Sequence, residues 1–300
     1  MADLHVDFLG KKLNGPVIGA SGTYGYGIAY ADMVDLSVLG GVSSKGLTLH
    51  PKAGNIGERL WETPSGLMNS IGLQNPGVQH FIDYELPMMK QHDLTVFANL
   101  GGGCIEDYET AAAMLNQTNV DFIELNISCP NVKEGGIAYG IKADSAKQVV
   151  SRVKAVCQKP LVVKLSPNAE NIVEMAIACV QAGADALSLV NTFQAMEIDI
   201  EARKPVFENG YAGLSGAAIR PIALRMVHQV CKQVEVPVIG LGGIYHGRDA
   251  IAFIMAGAHA VQVGTANFSD PTACMRITNE MKEWADSHGV ATLAEIRGCV

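Results

Sequence analysis

The segment Asn126-Ile127-Ser128-Cys129-Pro130-Asn131 sets a thiol beside a proline, shortly before Gly135-Gly136. A cysteine at the mouth of a fold, under a glycine-hinged loop, can act as a nucleophile or as a proton-transferring base. The competing reading of any cysteine is a small buried hydrophobe. It suits Cys157, Cys179 and Cys231, which lie in helical patterns, better than Cys129. No histidine is an obvious partner: His228 sits in a helical pattern, and His246 and His259 follow turns. That disfavours a Cys–His hydrolase. Two lysines, Lys45 and Lys164, each lie at the end of an apolar run. Two ammonium groups facing one small mouth call for an anion. Gly242-Gly243 and Gly264-Thr265 also follow apolar runs. Glycine lets phosphate oxygens approach backbone N–H groups, so these turns point to a phosphorylated ligand or cofactor.

Such groups act together only if the chain gathers them. Eight short apolar runs recur, at 16–21, 41–45, 95–99, 121–128, 161–166, 186–192, 237–243 and 260–265. Most are rich in Val, Ile and Leu with little polar alternation, as in strands of a parallel sheet buried on both faces. Helical patterns lie between them. Ile219, Ile222, Ala223, Met226, Val227 and Val230 share one face, as do Ile172, Val173, Ala176, Ile177 and Val180. Pro167-Asn168 reads as the start of the latter helix. Ser269-Asp270-Pro271 reads as an N-cap with proline in the first turn of a last helix. Ala182-Gly183-Ala184-Asp185-Ala186-Leu187 resembles Ala256-Gly257-Ala258-His259-Ala260-Val261, each a helix end, a glycine C-cap and a new strand. Eight strands alternating with helices over ~250 residues fit an α/β fold, the (β/α)8 TIM barrel, with its active site at the C-terminal ends of the strands. A doubly wound open sheet is the competitor. Those ends carry Ser21, Lys45, Asn99, Asn126, Lys164, Asn191-Thr192, Gly242-Gly243 and Gly264-Thr265. The connection 47–76 is long and shows little helical pattern, which suggests a functional segment.

With 300 residues, 48% hydrophobic and 17% charged, the chain has the composition of a folded protein. No linker or charge block divides it, so residues 1–300 read as a single barrel domain. The formal net charge of −8 disfavours nucleic acid. No apolar stretch is long enough for a membrane span, and the N-terminus lacks the pattern of a signal peptide. Seven widely spaced cysteines then read as reduced thiols of a cytoplasmic chain. No C-x-x-C pair occurs, which disfavours a metal or iron–sulfur site in this chain.

At these residues the sequence resembles the dihydroorotate dehydrogenases of class 1. Asn126-Ile127-Ser128-Cys129-Pro130-Asn131 matches that family's active-site motif, and Lys164-Leu165-Ser166-Pro167-Asn168, Asn191-Thr192, Gly213-Leu214-Ser215-Gly216 and Gly242-Gly243 follow in its order. Glu62-Thr63-Pro64, the run from Asn69 to Gly77, and Leu214-Ser215-Gly216 before Arg220-Pro221 look most like the class 1B catalytic subunit. The resemblance implies oxidation of dihydroorotate to orotate in pyrimidine biosynthesis, with FMN bound in the barrel mouth. It implies Cys129 as the base. Lys45, Asn69, Ser70, Ile71, Gly72, Leu73, Asn126, Asn131, Asn191 and Thr192 would hold the substrate. Ser21, Lys45, Gly46, Asn99, Asn126, Lys164, Val190, Gly216, Gly242, Gly243, Gly264 and Thr265 would hold FMN. Electrons would leave to NAD through a partner subunit carrying FAD and a [2Fe-2S] cluster, with a homodimer of this chain inside a heterotetramer. Rival readings are a class 1A homodimer that uses fumarate, a phosphosugar aldolase or isomerase with a Schiff base on Lys164, and a flavin-binding module without activity.

Overall fold

The computed structural model describes residues 1–127 and 139–300. Its centre is a closed barrel of parallel strands: β1 (Val17–Gly19), β2 (Gly41–Ser43), β3 (Val96–Leu100), β4 (Phe122–Asn126), β5 (Leu161–Lys164), β6 (Ala186–Leu189), β7 (Val238–Leu241) and β8 (Ala260–Val263). Each strand pairs with its sequence neighbours, and β8 closes onto β1. This is the expected (β/α)8 architecture, and the eight strands fall in the eight apolar runs.

Inside the barrel, residues two apart in each strand point the same way and stack in layers. The lowest layer is apolar: Ile18, Phe97, Phe122, Val162, Ala186, Ile239 and Ala260. An N-terminal hairpin, Val6–Phe8 paired with Lys11–Leu13, plugs this end with Val6, Phe8 and Leu13. The Phe8 ring meets Phe122 edge-on at 5.5 Å, and Phe97 stacks on Phe122 at 4.5 Å. Two residues further along the strands the layer turns polar: Ser43, Asn99, Glu124, Lys164, Ser188 and Gln262, all buried. Above it the C-terminal ends open into a cavity.

The opposite rim carries a repeated device. The side chain just before β4, β6 and β8 accepts the first N–H of the strand before it. Asp121 accepts from Val96, Asp185 from Leu161, and His259 from Val238. The two similar segments noted in the sequence thus share a role, and Gly183 and Gly257 adopt the positive φ their C-cap position requires.

Two helix starts differ from expectation. Asn171, rather than Pro167-Asn168, caps the helix Ile172–Gln181, accepting from the N–H groups of Val173 and Glu174. The last helix begins at Ala273, and Ser269 instead ends the short helix Ala266–Ser269. Asp270 accepts from both the N–H and the hydroxyl of Thr272. The long connection holds strands Leu60–Thr63 and Gly66–Asn69. They join Phe193–Ala195 and Ala212–Ser215 in an antiparallel sheet whose residues line the cavity mouth. Among the described residues no helix is long and apolar enough to cross a membrane.

Candidate active site

The cavity at the C-terminal end of the barrel measures about 810 Å³, the size range of cofactor and substrate pockets. Every described residue expected at the site lines it: Ser21, Lys45, Gly46, Asn69, Ser70, Ile71, Gly72, Leu73, Asn99, Asn126, Lys164, Val190, Asn191, Thr192, Gly216, Gly242, Gly243, Gly264 and Thr265. Cys129 and Asn131 lie outside the described residues, so the motif is represented by Asn126, which lines the cavity, and the buried Ile127.

Three loops converge on one wall. The hydroxyl of Thr265 donates to that of Ser215 over 2.9 Å. A β-carbon on Gly243, whose φ is +72°, would sit 2.7 Å from the Gly216 carbonyl oxygen. Gly243 therefore has to be glycine for the packing of the protein itself. Gly264 is different, because a β-carbon there would meet only Ala20 and Thr23 at 3.6 Å.

The opposite side carries amides. Asn126 takes the Tyr108 hydroxyl on its carbonyl oxygen at 2.9 Å, and its side-chain oxygen accepts from Asn191 at 3.5 Å. Asn191 in turn accepts from the Thr192 N–H. Asn69 donates to the Gly213 carbonyl across the antiparallel sheet, and Ser70 accepts from Asn55 and Asn209. These bonds preset a hydrogen-bonding wall suited to a flat polar ring.

The two lysines have different surroundings. Lys164, 5% exposed, pairs with Glu124 across 4.0 Å, so its anion is supplied by the protein. Burial would raise the Glu124 carboxyl, but the Lys164 charge and hydrogen bonds from Ser43, Ser188 and Asn99 outweigh it and hold the group below the usual carboxylate range. Among the described residues Lys45 makes no ion pair, so its charge is left for a ligand. Burial lowers its pKa, and so does Arg59, a like charge nearby. Arg59 also lines the cavity and donates to Gln74 at 2.7 Å. No Asp or Glu is among the described lining residues. An acidic protein thus presents a cationic pocket.

Sequence reasoning missed Arg59, Gln262 and Glu124. A glutamate inside the apolar run 121–128 was the available signal, since a charge there must be buried and paired.

The sequence profile of the dihydroorotate dehydrogenase family matches residues 3–284. Three relatives carry the name dihydroorotate dehydrogenase B (NAD(+)), catalytic subunit. The protein from Petrotoga mobilis is 57% identical over 300 residues, covering 100% of both chains. That from Citrifermentans bemidjiense is 51% identical over 299 residues, covering 99% of this chain and 98% of its own. The Bacteroides thetaiotaomicron protein is 46% identical over 301 residues, covering 100% and 99%. Full-length similarity of this order, on a parallel barrel with a cationic, amide-lined mouth, means that the chain belongs to the dihydroorotate dehydrogenase family.

Proposed function

We propose that this chain oxidises dihydroorotate to orotate in pyrimidine biosynthesis, as the catalytic subunit of an NAD-linked, class 1B enzyme. The observation that carries the reading is the cavity itself, with Lys45 and Arg59 facing a pocket without a described carboxylate. Dihydroorotate is a small cyclic carboxylate, and such a pocket favours it electrostatically.

The residues also fit FMN. The buried side-chain oxygens of Asn99 and Gln262 have no partner among the described residues and await donors. The rim of Gly216, Gly242, Gly243, Gly264 and Thr265 suits a phosphate in the manner of barrels that bind one after strands seven and eight. Ser21, Gly46, Asn126, Lys164 and Val190 would complete that site. When bound, FMN supplies the acceptor for the hydride that leaves C6 of the substrate.

The chain's own residues do the rest. Asn69, Asn126, Asn131, Asn191 and Thr192 orient the ring, with the backbone from Ser70 to Leu73. Lys45 neutralises the carboxylate. Cys129 as thiolate takes the proton from C5, and the electron pair of that C–H bond becomes the new C5–C6 double bond as the hydride departs. A free thiol titrates near ~8.5, so turnover rises with pH.

Electrons then pass to NAD through a separate subunit with FAD and a [2Fe-2S] cluster, in a heterotetramer around a homodimer of this chain in the cytoplasm. Among the described residues no group of three or more His, Cys, Asp or Glu side chains is placed to hold a metal ion. The test is anaerobic titration of the purified, FMN-loaded chain. Dihydroorotate should bleach the flavin and drive artificial dyes, with little NAD reduction until the partner is added. Absence of bleaching would refute the assigned reaction, and efficient NAD reduction by this chain alone would refute the need for a partner.

A further inference from the structure

Glu124 lies at the centre of the polar barrel layer and is fully buried. Its Oε2 accepts from Asn99 Nδ2 at 2.6 Å and Ser43 Oγ at 2.5 Å. Its Oε1 accepts from Gln262 Nε2 at 2.7 Å and Ser188 Oγ at 2.8 Å. We infer that Glu124 is a positioning residue for the cofactor: it locks the amides of Asn99 and Gln262 so that both offer acceptor oxygens to the cavity. The inference rests on the FMN reading above.

A carboxylate imposes this orientation through its hydrogen-bonding chemistry. When ionised it accepts hydrogen bonds and donates none, whereas a carboxamide has one donating and one accepting end. Two amides that both touch Glu124 must each turn the NH2 group toward it. Their oxygens must then point elsewhere. Both oxygens are buried and lack a partner among the described residues, yet both residues line the cavity. Asn99 Oδ1 lies so near Gly46 that a β-carbon there would be 3.2 Å away. Buried acceptors left open are rare and unfavourable. Two of them, set by one carboxylate, make a preorganised site for the N–H or hydroxyl donors of a bound cofactor. The hydroxyls of Ser43 and Ser188 can rotate and carry no such directional information. Lys164 adds charge balance at 4.0 Å.

Glu124→Gln keeps the shape and removes the constraint. The new NH2 must face Asn99 or Gln262, and that amide reverses, placing a donor where the cofactor needs an acceptor. The apoprotein's affinity for FMN, read by quenching of free flavin fluorescence, should fall on the order of 10- to 100-fold. Ser188→Ala removes one donor to Glu124 but leaves both amides fixed, so its affinity should stay within about 3-fold of wild type. Should Glu124→Gln fail to fold with Lys164 unpaired, Lys164→Met and Lys164→Met/Glu124→Gln make the same comparison without that buried charge. The double variant should then bind on the order of 10-fold more weakly than Lys164→Met. Wild-type affinity in Glu124→Gln, an equal loss in Ser188→Ala, or equal binding by the two Lys164 variants would overturn the inference. Failure of the wild-type apoprotein to bind FMN would instead overturn the reading on which it rests.

Discussion

Replacing Lys164 by methionine should expose how strongly the barrel core depends on one ion pair. The Lys164 ammonium stands 4.0 Å from Glu124, with the two side chains 6% and 0% exposed. At an effective dielectric of ~20, that separation corresponds to about 4 kcal/mol of attraction. Methionine fills similar volume, so little of the effect arises from a cavity. Removing one partner of a buried pair destabilises by ~3–5 kcal/mol. Four neutral donors still solvate Glu124 here, which favours the lower end, about 3 kcal/mol. With a urea m-value of ~3 kcal/mol/M, the unfolding midpoint of the apo chain should drop by about 1 M. At ~2 °C per kcal/mol, Tm should drop by about 6 °C. A double-mutant cycle with Glu124→Gln isolates the pair, because removing both charges should be milder than the sum of the single changes by about 2 kcal/mol or more. A midpoint within ~0.2 M of wild type for Lys164→Met, a small fraction of the shift expected from that m-value, or strictly additive effects in the cycle, would refute the claim that this pair balances the core charge.

Three further outcomes are expected. Cys129→Ala should retain FMN and lose on the order of 10²-fold or more in turnover, while Cys129→Ser keeps some activity mainly at high pH. Near-normal flavin reduction by the alanine variant at neutral pH would remove Cys129 from the base role. Gly264→Ala should fold normally, since its methyl group meets only ordinary contacts, yet bind FMN about 10-fold more weakly or worse; unchanged affinity would move the phosphate elsewhere. His259 has its pKa lowered to about 4 by burial and then by Arg297. Folding thus favours the neutral ring, and the contribution present above pH ~6.5 is lost as pH falls toward 4. His259→Asn should therefore lose less stability than wild type, by about 2 kcal/mol, between pH 7.5 and pH 4.5 in urea titrations. Parallel losses in the two proteins would assign the acid sensitivity to other groups.

Much of this was legible in the chain because a parallel barrel writes its strands as apolar runs and its chemistry at their ends. All eight runs became strands, and Lys45, Asn126, Asn191 and Gly264 did meet around one cavity. The polar layer beneath that cavity was harder to read. Ser43, Ser188 and Gln262 look unremarkable in sequence, and only closure of the barrel brings them to Glu124. The antiparallel sheet over the mouth was missed for a similar reason. Its strands are three or four residues long, too short for alternation to register, and their pairing joins segments more than a hundred residues apart. Asn171 escaped notice because the helix it caps also follows a proline, which drew the boundary too early.

Glu124 sits on β4, and its partners are divided between the halves of the barrel. Ser43 and Asn99 arrive on β2 and β3, whereas Lys164, Ser188 and Gln262 arrive on β5, β6 and β8. A fragment ending after β4 would thus hold an anion with its cation and half of its hydrogen-bond donors missing. Such a half-barrel has little reason to persist, since its interior would have to admit water or protonate the carboxyl. Closure is consequently favoured as one cooperative event, and amide protons on β3 and β6, in opposite halves, should exchange through the same global opening rather than in separate stages.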